Sequence, residues 1–153
     1  MTYASGLTNW LKLIHVLAVA LWVGGAMLVN FYGMAMQKAD ASRRLHFAEQ
    51  NDRAGRLFSA SAIIALITGV WIVLRVEGIE FSQAWISIGF LGIAVGAVLG
   101  MGFFGPQGRA LIAEMKEGSP AAAVRAKRIA LVSQIDLLVL LVVVWAMVFK
   151  PGL

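Results

Sequence analysis

Three ionisable side chains stand in stretches of this chain that are otherwise almost wholly apolar: Lys12, His15 and Asp136. In lipid each such group is expensive and marks a candidate site. Lys12 and His15 share one helical face with Val19, Trp22, Ala26, Val29 and Gly33, because residues three and four apart stack along a helix. That face is polar at one end and small or aromatic further in, a shape that suits a flat hydrophobic ligand. Burial and a lysine one turn away both favour neutral imidazole, the form that ligates haem iron or another metal. Lys12 can then meet an acidic group of the ligand. The plainer reading stays open: Lys12 snorkels from a helix end, and His15 only hydrogen-bonds a neighbouring helix.

The only other histidine, His46, is too far along the chain to complete a bis-histidine site with His15 in one subunit. Asp136 must pair or take up a proton. Arg53 and Arg56 are its expected ion partners, with Ser59 and Ser61 as hydrogen-bonding alternatives. A proton path or a contact to a substrate head group is the functional reading of the same carboxylate. Asn30 and Gln134 are milder polar intrusions. No Ser/His/Asp set, phosphate loop or histidine-rich metal cluster is visible, and cysteine is absent, which excludes thiolate sites and disulfides.

The elements that hold these groups follow from hydropathy. Sixty per cent of the 153 residues are hydrophobic and 14% are charged, with a mean hydropathy of +0.82. A water-soluble domain of this size cannot hide that much apolar surface, so the solvent is lipid. A bilayer needs about 20 apolar residues per helix, and four stretches qualify, near 10–37, 57–74, 81–105 and 129–149. Pro106 and Pro151 are read as the stops of the third and fourth spans. The fold class is all-α: an integral membrane protein, an antiparallel bundle of four transmembrane helices forming a single membrane domain over 1–153. The first span does not read as a cleaved signal, since no basic residue precedes it and it is too long.

Ten of the thirteen basic residues fall in 38–56 and 106–128. Basic loops stay in the cytoplasm, which predicts a bacterial inner-membrane protein with both termini periplasmic. Net charge is thereby explained without nucleic acid. Both basic segments are helix-compatible. Ser119 is read as the N-cap, and Pro120 as the first residue, of a fourth helix that projects beyond lipid. The segment "GPQGRALIAEMKEGS" is read as a short amphipathic helix at the interface. These segments can dock anionic lipid or a partner protein, or they are ordinary topogenic charge.

Gly92, Gly96 and Gly100 recur every four residues in the third span, a face for close helix packing. Gly24, Gly25, Ala26, Ala65 and Gly69 are possible partners within the chain, and a homo-oligomer is the alternative. Trp10, Trp85 and Trp145 are read as an aromatic belt. No internal duplication is visible, which weakens a reading as an inverted-repeat transporter.

Trp10-x-Lys12-x-x-His15, followed by Trp22 and Gly25, resembles the first helix of the HemJ-type protoporphyrinogen oxidases. "ALITGVWIV" at 65–73 and "VVVWAMVFKP" at 142–151 are similar to the second and last helices of that family. The opening is also shared with CopD-type copper-resistance membrane domains. The chain differs where the family carries a further histidine late in helix one, here "NFYGMAMQ", and where its last helix opens on an Asn-Glu-Val-Pro-like segment, here "SQID". The resemblance implies a haem b or porphyrin cofactor with His15 as ligand and Lys12 beside it, in protoporphyrinogen oxidation or related electron transfer. A non-catalytic accessory subunit of a larger membrane complex is the alternative. Copper handling is more remote, since facing histidine or methionine ligands are few.

Overall fold

A computed structural model describes residues 2–152, and they form helices joined by short turns. The order is α1 (Thr2–Met36), α2 (Ala41–Arg75), α3 (Ala84–Leu99), a π-helical turn (Gly100–Phe104), α4 (Gly105–Lys116) and α5 (Ala121–Phe149). Four rods are long and apolar enough to cross a bilayer, and α3, the π turn and α4 make up one of them. The expected four spans are therefore present, each running further than its apolar stretch. At 1.5 Å per residue the 35-residue α2 is about 52 Å long, well beyond the roughly 30 Å of hydrocarbon. Its first turns, carrying Arg43, Arg44, Arg53 and Arg56, are thus helix outside the apolar layer, in line with the helix-compatible sequence of that basic segment.

The cap of α2 explains why the helix starts so early. The Asp40 carboxylate accepts the Arg43 N–H at 2.9 Å, as an N-cap should. That hydrogen bond holds the Asp40 carboxyl below its usual range. At the other end of the chain, the Ser119 hydroxyl accepts the Ala121 N–H at 3.3 Å, so the start of α5 matches the sequence signal to within one residue. Helix α5 ends at Phe149, just before Pro151, with Lys150 in the left-handed region at φ 46°.

Pro106 does not stop the third rod, contrary to expectation. The helix widens instead: the Gly105 N–H bonds Gly100 O, five residues back, and Pro106 falls in the first turn of α4. There its missing N–H is least costly. The segment after it extends the third rod and packs on α2 and α5, so it is not a separate helix lying at the interface.

Helix α1 pairs mainly with α2, and α3 with α5, while α1–α5 and α2–α3 contacts close the bundle. The contact glycines are holes for large side chains. Where a Cβ would sit on Gly89 stands Met147, on Gly92 Val143, and on Gly25 the Phe58 ring. On Gly96 the Trp22 ring would lie 2.6 Å away. Gly100 faces open space, so the expected stripe of three ends at Gly96, and Gly100 serves the π turn. Side chains of this chain, not another backbone, fill the stripe. A core of Val73, Trp85, Ile86 and Ala146 closes the end opposite the basic helices. Trp85 belongs to that core at 6% exposure, so it is not a belt residue, whereas Trp10 and Trp145 are exposed.

Candidate functional site

His15 faces α2. Its Nδ1 lies 3.0 Å from Ala65 O and 3.0 Å from Thr68 Oγ1. A carbonyl only accepts, so Nδ1 carries the proton and donates. The Thr68 hydroxyl gives its own hydrogen to Ile64 O at 2.6 Å, which leaves a lone pair for the imidazole. This network assigns the tautomer with Nε2 bare. The approach is possible because α2 is small here. Ala65 and Thr68 are buried, and a Cβ on Gly69 would meet His15 Cε1 at 3.2 Å.

The stripe on α1 serves several neighbours. His15 turns to α2, Trp22 fills Gly96 of α3, and Lys12, one turn from His15, is exposed. Helix α1 begins at Thr2, so Lys12 lies about three turns inside it and not at its end; its exposure still suits snorkelling toward that end, and equally suits reach toward an acidic group. His46 lies on the first turns of α2, with its Nε2 3.4 Å from Gln50 Nε2, and is remote from His15.

Asp136 overturns the expected pairing. Its Oδ1 is buried without a hydrogen-bond partner among the described residues. Arg53 and Arg56 are exposed and form no ion pair with it. Ser61 instead bonds Phe58 O in its own helix. Long arginine side chains reach water more cheaply than they reach a carboxylate inside a bundle. One turn from Asp136, Ser133 joins α5 to α1 through the Asn30 amide, with Asn30 Nδ2 2.9 Å from Ser133 Oγ. Asn30 also donates to Ala26 O in its own helix. This α1–α5 register places Asp136 beside the Ala26–Met27 level of α1. Counting 1.5 Å per residue, it lies roughly 18 Å along the axis from His15. The two groups do not form one acid–base pair. A groove of about 390 Å³ lined by Asn30, Met34 and Leu137 opens beside the Asp136 level.

Thr68 and Ser133 are the polar partners that the sequence reading missed. Each is an ordinary small residue in an apolar run. The only signal for Thr68 was its place between Ala65 and Gly69 on one face.

The profile of a family described as predicted integral membrane proteins, DUF2269, matches residues 9–151. The chain belongs to that family. Its match covers all four spans of this DUF2269 protein, from just before Trp10 to Pro151, and so includes His15, Thr68 and Asp136. No curated protein and no solved structure matches the chain. The protein is thus an integral membrane protein of four apolar helices.

Proposed function

We propose that this protein is a membrane redox protein that binds haem b or a related porphyrin, with His15 Nε2 as the nitrogen that would hold the iron. The observation that carries the reading is the Nδ1 hydrogen bond to Ala65 O and Thr68. Ligating histidines characteristically donate their other ring N–H to a carbonyl or carboxylate, which fixes the ring and leaves the remaining nitrogen basic. Here that support is built into α2.

The donor set favours a macrocycle over a bare ion. Among the described residues no group of three His, Asp or Glu side chains is placed to hold a metal ion. A copper ion needs several protein ligands, whereas a porphyrin brings four nitrogens and asks for one or two. One histidine within the apolar layer is what this bundle offers, since His46 is remote. In this reading Lys12, exposed one turn from His15, neutralises an acidic edge of the ring, whereas Trp22 is taken up by the Gly96 hole of α3 and leaves the flanking role expected of it unfilled. A bound haem iron would supply one-electron chemistry. The chain's own part is to hold the imidazole, set its tautomer and exclude water. Protoporphyrinogen oxidation is the reaction class that the sequence resemblance implies. The basic helical ends face the cytoplasm in this reading, and both termini face the periplasm of a bacterial inner membrane.

The test is an absorption spectrum of the detergent-purified protein, expressed with haem supplied, before and after dithionite. The expected result is a Soret band and a reduced α-band that vanish in His15→Ala. A well-folded, colourless wild type sinks the proposal, as does colour unchanged by His15→Ala.

A further inference from the structure

The helical ends beyond the apolar layer sort their charges into two tiers. At the outer tier, charges nearly balance: Asp40, Glu49, Glu114 and Glu117 stand against Lys38, Arg43, Arg44, Lys116 and Arg125, and three of the four acids are ion-paired. Arg125 grips Glu114 with Nε and Nη2 at 2.9 and 2.7 Å and also bonds Gln107. Lys116 meets Glu49 at 2.8 Å across α4 and α2, and Arg43 meets Asp40 at 3.3 Å. Inward from that tier the charges are five basic to one acidic. Arg53 and Arg56 lie four and seven residues inward of Glu49, Arg109 seven inward of Lys116, and Lys127 and Arg128 two and three inward of Arg125. At 1.5 Å per residue these offsets are roughly 3 to 11 Å, so three helices bring five cations to neighbouring depths. All five are exposed, and none forms an ion pair among the described residues. Asp52 is the one carboxylate on those turns, and it pairs with none of them. Next inward come Leu57, Ile129 and the Phe103–Phe104 pair, where hydrocarbon begins. Arg128 lies over the Phe103 ring at 5.7 Å, tied across helices at that boundary.

We infer that this collar is a binding surface for anionic phospholipid. The occupant is lipid because these cations, without ion pairs among the described residues, lie at the head-group depth, between a tier of nearly balanced charge and apolar helix. Four of the five are arginines, whose planar fork binds phosphate oxygens in pairs. Topogenic charge alone requires basic residues on one side but gives no reason to place the paired acids outermost. The inference does not rest on haem binding.

The test uses the full chain in detergent, with phosphatidylglycerol or phosphatidylcholine added and bound lipid counted by native mass spectrometry. The collar triple Arg56→Gln, Arg109→Gln, Arg128→Gln is compared with an outer triple of equal charge change, Lys38→Gln, Arg43→Gln, Arg44→Gln. With each basic group near the surface contributing roughly a factor of five, the collar triple should bind phosphatidylglycerol about a hundredfold more weakly. The wild type and outer triple should retain it, and phosphatidylcholine binding should not change. The collar triple with lysine in place of glutamine should recover most of the binding. If the glutamine triple does not fold, the same loss is read at about fivefold in Arg109→Gln alone. Equal loss in both triples, or a wild type that does not distinguish the two lipids, overturns the inference. So does displacement of the lipid by an acidic peptide or by inorganic phosphate.

Discussion

The two intramembrane sites are built in opposite ways. At the end away from the basic helices, His15 is met by groups that fit it: a carbonyl, a threonine with a free lone pair and a glycine that admits the ring. The glycines of α3 there are filled by Met147 and Val143, and a core of Trp85, Ile86, Val73 and Ala146 closes the end. At the basic end, Asp136 has an oxygen with no hydrogen-bond partner among the described residues, the third rod loosens into a π turn, and Gly100 and Gly102 face open space. Similar composition thus gives one end packed to hold a polar group still and another where a polar group is left to find its partner. Local stability should follow the same division.

The largest effect should come from filling a hole at the packed end. Gly92→Ala drives a methyl into Val143, whose branched side chain has little room to turn, and should cost about 1–3 kcal/mol. Gly100→Ala, at the loose end, should cost nothing. Unfolding titrations of both variants in mixed micelles check the contrast, and equal effects would break it. Next comes Thr68→Val, which removes one acceptor from His15 while keeping the shape. It should cost about 1 kcal/mol by the same measurement, and should shift the absorption bands of any bound haem without abolishing them. Asp40→Ala removes the cap that starts α2 outside lipid and should also cost about 1 kcal/mol. Hydrogen exchange should show the loss as fraying confined to the first turns of α2. The smallest effect is expected at Asp136→Asn, under about 0.5 kcal/mol, because no ion pair is broken. A loss of several kcal/mol there would reveal a buried partner and erase the difference between the two ends.

What the sequence made legible follows from the physics that dominates each level. Four apolar runs with charge on alternate connections leave little choice of fold, since lipid demands closed helices and the basic residues gather at one end. The start of α5 was readable from Ser119 and Pro120. Pro106 misled because a stop and a widened turn have the same local signature. What separates them is a tertiary partner on both sides of the proline, here α2 and α5, that makes continuing worthwhile. Arg53 and Arg56 misled because depth along the chain does not tell which way a long side chain runs. Thr68 stayed hidden because its hydroxyl bonds its own helix, the ordinary habit of a threonine in lipid. Its second role toward His15 exists only once α1 lies on α2.

The claim on which the site rests is that α2 fixes the His15 proton on Nδ1 and leaves Nε2 bare. The chain has only two histidines, so nitrogen-15 NMR of histidine-labelled protein in micelles separates them directly, with His46→Gln assigning the signals. His15 is expected to be held as the Nδ1–H tautomer, with this preference weakened in Thr68→Val and with added haem perturbing Nε2 most strongly. A His15 ring protonated on Nε2, with Nδ1 as acceptor, would contradict it, because Ala65 O has no hydrogen to give.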